Sequence, residues 1–193
     1  MAATRLVCPT AERNKRRTAN LRRRRSPEIT VGNRQKIRVR LRTIRKFAGH
    51  VLAAEGIAPE CELSVVLCDE EEISGLNRTF LRHEGPTDVL AFPQDAPRRE
   101  PASPEESTSH RVTSHKVTSL LGDVVVCTEV ALRQAQQRGV SCEEETLELL
   151  AHGILHLLGH RDDTPAARRK MFRRQRELLK GFLEPQRKAV GKT

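Results

Sequence analysis

Two histidines, His152 and His156, stand four residues apart in the run HGILHLLGHRDD that ends at Asp163. On an α-helix this spacing puts both imidazoles on one face, about one turn apart. A helix offers two ligands to one metal ion in this way. Gly159 follows three residues after His156. A glycine closing a periodic apolar run commonly takes the left-handed conformation that stops a helix and turns the chain back, so a third donor can return from the loop. Asp162 is the preferred third ligand and His160 the alternative. On an unbroken helix His160 would lie about 12 Å along the axis from His152, beyond one ion bonded at about 2 Å, so it needs the turn. Asp163 is the outsider of the group. A lone histidine in such a run would read as an ordinary polar residue of an amphipathic helix; the histidine pair, glycine stop and following donors together read as metal binding. Zinc peptidases with a His-Glu-x-x-His helix use that glutamate as general base, and here its position is Gly153, so peptide cleavage lacks its usual proton acceptor.

Several elements must hold this segment in place. Ser141, with Glu144 three residues on, forms a capping-box signal for the helix that carries the histidines. Its leucines and Ile154 fall almost all round the helix, which predicts a central position. Upstream, Glu28 to Asn33 reads as a short strand, and Lys36 to Glu55 as an amphipathic helix closed by Gly56. Glu62 to Asp69 reads as a buried strand, followed by a helix through Leu76 that opens on acidic residues. Asp88 to Phe92 and Leu120 to Cys127 are further strands, and Thr128 is expected to cap a helix from Glu129 to Arg138. The Pro-, Ser- and Thr-rich stretch 94–119, with His110 and His115, reads as a loop inserted between two strands, its histidines facing solvent. A last helix opens at Thr164 and Pro165 and runs to Leu179.

The chain has 193 residues, enough for one domain with a sizeable core: a basic extension over 1–26 expected to be disordered, a folded unit over 27–183, and a basic tail over 184–193. It has no apolar run of 18 residues, so no membrane span is expected. Five cysteines without CxxC spacing, and no secretory signal, suit reduced thiols in the cytoplasm, with Cys61, Cys68 and Cys127 as small core residues. The arginine-rich start would also suit an organellar leader, but the apolar face of such peptides is thin here.

The formal charge of +10 is split: residues 1–46 carry +14, residues 47–164 carry −12 and residues 165–193 carry +8. Basic ends around an acidic, metal-bearing middle suit a polyanion gripped at the periphery and cut near the ion. The chain has no Tyr or Trp and five Phe, so base stacking is expected to add little affinity and sequence preference to be weak.

Three stretches together resemble one family. Leu76-Asn77 with Pro86 to Pro93 (PTDVLAFP), Leu121 to Val126 (LGDVVV) and His152 to Gly159 (HGILHLLG) are similar to the successive motifs of the YbeY proteins, over roughly residues 28–183. The resemblance implies an α/β (α+β) fold, a single domain whose small mixed β-sheet is packed by helices. It also implies one bound Zn2+ and metal-dependent endoribonuclease activity on single-stranded RNA. A role in maturing ribosomal RNA, especially the 3′ end of the small-subunit RNA, and in ribosome quality control is implied as well, with the small ribosomal subunit and assembly factors as partners. The carried-over ligand set is His152, His156 and Asp162, the last standing where the family most often has histidine. Many members carry an arginine just after the aromatic that matches Phe80; here that slot is Leu81, and Arg82, one position on, is the candidate for its role.

The expected chemistry is phosphodiester hydrolysis at one zinc ion with a coordination position left for water. Asp88 and Asp123, within the motif stretches, read as turn or capping carboxylates. The alternatives are an assembly factor whose zinc is structural, and a metallopeptidase, which Gly153 weakens.

Overall fold

The computed structural model describes residues 26–95 and 119–190. The basic extension before Ser26, Cys8, His110 and His115 lie outside the described residues. Strand β2 (Cys61–Cys68) buries Cys61, Leu63, Val65 and Leu67 on one face, and β4 (Ser119–Cys127) is buried along most of its length. Both are rich in the branched residues that fill a sheet centre. They form the middle of a four-stranded sheet with β1 (Glu28–Asn33) and β3 (Val89–Pro93) at its edges, in the order β1-β2-β4-β3. β1, β2 and β4 are parallel, and β3 runs antiparallel to β4. This is the small mixed sheet that the family resemblance implied.

The pairing of β2 with β4 skips Leu121, passing from Glu62 opposite Leu120 to Leu63 opposite Gly122. Gly122 has φ of +132°, and a Cβ there would meet the Phe92 carbonyl oxygen at 2.1 Å, so the bulge admits glycine alone.

Helices α1 (Leu41–Ala54), α2 (Glu70–Leu76), α3 (Thr128–Arg138), α4 (Cys142–Leu157) and α5 (Pro165–Val190) complete the domain. α4 is central: it touches β3, β4, α1, α3 and α5, and Leu147, Leu150, Ala151, Ile154 and Leu155 are buried in the main core. Truncating Leu150 or Ile154 to alanine would cost about 2–5 kcal/mol. Cys61, Cys68 and Cys127 are buried free thiols. Among the described residues no helix is long and apolar enough to cross a membrane.

The structure corrects several sequence-based boundaries. α1 begins at Leu41 rather than Lys36, because the Gln35 amide bonds both the N–H and the carbonyl of Ile37 and holds that stretch in a local turn. Thr128 is the first residue of α3 rather than its cap; its hydroxyl donates to the Cys68 carbonyl and pins the helix to the end of β2. α2 is capped by Asp69, whose side chain accepts from the Glu72 N–H at 2.9 Å, and then continues into a π-helical turn, Asn77–Leu81. α5 continues past Leu179 to Val190, with Phe182 edge-on to Phe47 at 5.0 Å, so packing extends the helix beyond its sequence signal.

Candidate metal centre and cleft

Ser141 starts α4 by accepting the Glu144 N–H at 3.1 Å. The helix ends in the turn its glycine predicts. Gly159 has φ of +85°, its N–H reaches the His156 carbonyl at 3.0 Å, and the His160 N–H reaches the Leu155 carbonyl at 2.9 Å. This Schellman pattern closes the helix and reverses the chain.

The reversal brings Asp162 over the two imidazoles. His152 Nε2 and His156 Nε2 are 3.1 Å apart, and Asp162 Oδ2 lies 3.9 Å from each. His160 is directed elsewhere, its Nε2 being 3.3 Å from Glu55 Oε2. Asp163 pairs with Arg161 at 2.5 Å on the exposed side of the loop.

The hydrogen bonds behind the rings fix which nitrogens face one another. His156 Nδ1 is 3.2 Å from the His160 carbonyl oxygen, which can only accept, so the proton sits on Nδ1. His152 Nδ1 is 3.2 Å from Gln175 Oε1 and donates in the same way. Two Nε2 lone pairs and a carboxylate therefore converge with no proton between the rings. Such a gap is complementary to a cation: donors bonded at about 2.0–2.2 Å to a tetrahedral ion lie roughly 3.3–3.6 Å apart, close to the separations here. The His152 pKa is pushed below its ordinary value, first by burial and then by His156, against the raising influence of Gln175 and Asp162, so its ring is held neutral and ready to donate a lone pair. Among the described residues His152, His156 and Asp162 could together hold a metal ion.

A cleft of about 640 Å³ opens beside these residues, with Asp88, Arg138, Glu148, Arg168, Phe172 and Gln175 among its walls. Arg138 is engaged by two carboxylates, at 2.6 Å from Glu145 and 2.7 Å from Glu148. Burial raises the pKa of Glu145, opposed by Arg138. Asp88 accepts the Val89 N–H at 2.8 Å and the Gln134 amide at 3.1 Å, so it anchors the start of β3. Asp123 faces Phe92 across the β3–β4 pairing and is not among the cleft-lining residues. Arg82 is exposed, in the left-handed region at φ of 57° after the π-helical turn, and is likewise outside the lining set. A Cβ at Gly153 would meet Val124 Cγ1 at 2.5 Å, so the position that holds the peptidase glutamate is pressed against the sheet and has no room for a side chain.

The family model described as endoribonuclease YbeY matches residues 30–183. The chain belongs to the YbeY family. Its relatives agree along most of their length. An endoribonuclease YbeY from Thermobifida fusca is 39% identical over 154 residues, which is 80% of this chain and 93% of that protein. One from a Parafrankia strain is 44% identical over 140 residues, covering 71% of this chain and 82% of its own. One from Frankia alni is 42% identical over 154 residues, 80% of each. The solution structure of a Thermotoga maritima protein has the same fold, with a TM-score of 0.53 at 23% identity over 84% of this chain and 93% of that one. The YbeY fold explains why a short motif suffices to position the donors, since the helix, its glycine stop and the returning loop are contiguous.

Sequence reading missed Gln175 and Phe172. Gln175 left a faint signal: it sits in the buried stripe of α5 with Met171, Leu178 and Leu179, a polar residue in an apolar register.

Proposed function

We propose that this chain is a metal-dependent endoribonuclease that cuts single-stranded RNA with one zinc ion held by His152, His156 and Asp162. Supporting this above all is the convergence of two proton-free Nε2 atoms and the Asp162 carboxylate beside an open cleft. Family membership supports the reaction class. Zinc bound there would supply Lewis acidity, lowering the pKa of a coordinated water toward about 7 and drawing charge from a phosphoryl oxygen.

The chain's own residues do the rest. Gln175 and the His160 carbonyl hold the protons on Nδ1 of the two rings and so keep Nε2 available. Arg168 and Arg176, on the cleft wall, neutralise phosphates of the strand as it lies across α4. Arg82 is assigned a phosphate contact outside the cleft, so Arg82→Ala should weaken RNA binding about threefold to tenfold with no change in metal content. Three donors leave a coordination position for water, unlike the four-ligand sets usual for structural zinc.

The physiological substrate in this reading is ribosomal RNA, matured toward the 3′ end of the small-subunit RNA on or near the ribosome in the cytoplasm, together with assembly factors. The basic ends of the chain suit that polyanionic setting. The test incubates purified protein of verified metal content with single-stranded ribosomal RNA and with casein, beside His156→Ala. RNA cleavage that depends on His156, with casein left intact, is the expected result. Cleavage that survives the substitution would reject the reading.

A further inference from the structure

Phenylalanine is the chain's only aromatic hydrocarbon side chain, and its five copies are used unequally. Phe47 and Phe182 pack edge-on at 5.0 Å, and Phe80 and Phe92 do the same at 5.1 Å. Phe172 has no phenyl partner among the described residues. Its ring neighbour is the His152 imidazole, 6.1 Å away and tilted by 40°, and 42% of the residue is open to solvent on the wall of the cleft. α5 buries Met171 and Gln175, so the helix could have left a polar residue at position 172 without loss to the core.

The neighbours of Phe172 along the helix make the pattern specific. Arg168 and Arg176 precede and follow it by four residues and line the same cleft, which sets a guanidinium about one helical turn to either side of the ring. Arg168 Nε reaches the Asp162 carbonyl at 3.4 Å, and Arg176 Nε reaches the Phe172 carbonyl at 3.2 Å. These bonds steady the stems, and among the described residues neither arginine is paired with a carboxylate. A cation, an exposed ring and a second cation in one row, with the middle ring 6.1 Å from the His152 imidazole, is the arrangement that grips a single strand: charges track the phosphates while a base lies on the π face.

We propose that Phe172 is a stacking platform for one unpaired nucleobase next to the scissile phosphate, and that Arg168 and Arg176 hold the phosphates on either side of that base. The inference rests on the RNA-cleaving reading and names the subsite through which that reading selects single strands, since a base within a duplex has no free face to stack. Every base has such a face, so the subsite distinguishes base from no base rather than one base from another.

The test uses zinc-loaded, full-length protein mixed with a fluorescein-labelled deca-adenylate or with an abasic ribose-phosphate strand of equal length, and anisotropy is read before the first turnover. The wild type is expected to bind the deca-adenylate about tenfold more tightly than the abasic strand. Phe172→Ala and Phe172→Leu, the second keeping apolar bulk without a π face, are expected to lose that advantage while metal content and abasic-strand binding stay unchanged. Phe172→Trp is expected to keep it. The emission of that variant, whose indole is unique in the chain, should be quenched by the deca-adenylate and not by the abasic strand. The inference is overturned if both truncations bind the deca-adenylate within twofold of wild type, or if the tryptophan variant responds equally to both strands. A wild type that cuts RNA in a His156-dependent way beside silent Phe172 variants rejects the subsite alone; a wild type that neither binds nor cuts RNA rejects the proposed function with it.

Discussion

Two carboxylate and imidazole assemblies flank the Gly159 turn, and they differ in what completes them. On one side His152, His156 and Asp162 converge on a cleft, with Asp162 about a third exposed. On the other, His160 meets Glu55, whose side chain is 8% exposed and also accepts from Arg174 Nε at 2.7 Å. The second assembly is completed by a guanidinium from the same chain; the first has no such partner among the described residues, and in the proposed function a metal ion would supply the positive charge. Residue types alone therefore do not separate a ligand from a latch. What separates them is whether the protein supplies its own positive charge.

The largest effect should come from the open assembly. His156→Ala is expected to lower both retained zinc and RNA cleavage by about a hundredfold or more, read by elemental analysis and a gel assay on the same preparation. Asp162→Ala should release zinc to a mild chelator at least about tenfold faster than wild type, whereas His160→Ala should keep wild-type metal content and lose about 1–3 kcal/mol of stability in urea. The reverse order of metal loss would exchange the roles of the two sides. Next in size is Gln175→Leu, which removes the acceptor behind His152 and is expected to weaken zinc affinity about tenfold in competition with a chromogenic chelator. In the latch, Arg174→Ala leaves a buried carboxylate with less compensation and should cost about 1–3 kcal/mol in urea without altering zinc stoichiometry.

The smallest effect is a pH dependence. The His152 pKa is lowered in the folded chain, chiefly by burial, so below the ordinary value near 6.5 the unfolded chain binds more protons than the folded one. Stability of the metal-free protein should therefore fall as pH drops from about 6.5 toward the depressed folded value, and change no further on this account below it. Urea titrations at stepped pH on wild type and His152→Asn check this, because the variant should lose that part of the slope.

Much of the open assembly was legible because its information is local. His152, His156, Gly159 and Asp162 fall within eleven residues, and helix periodicity with a glycine stop is enough to fold them together. The single strands were legible in their branched runs, whereas the mixed sheet they form was implied by the family resemblance, because strand order and direction depend on pairings between distant segments. The latch was not: Glu55 lies 105 residues before His160, and Arg174 lies 119 after Glu55. Gln175 and Phe172 were obscured because the surrounding helix is dense in arginine, and a shift of one residue, about 100° around the axis, decides whether such a side chain faces core, cleft or solvent. The start of α1 was misread because the Gln35 side chain competes with the helix through bonds that periodicity does not register.

The hairpin of β3 and β4 has a practical consequence. Asp88, just before β3, lies at the cleft, whereas the other end of that strand pair is tied by Gln94 N–H to the Leu121 carbonyl and by Asp95 N–H to the Leu120 carbonyl. Five strand residues at about 3.3 Å each separate the two ends. A reporter domain or surface tether spliced in between Asp95 and Ser119 would hang from the far rim, leaving the entrance for a polymer substrate clear.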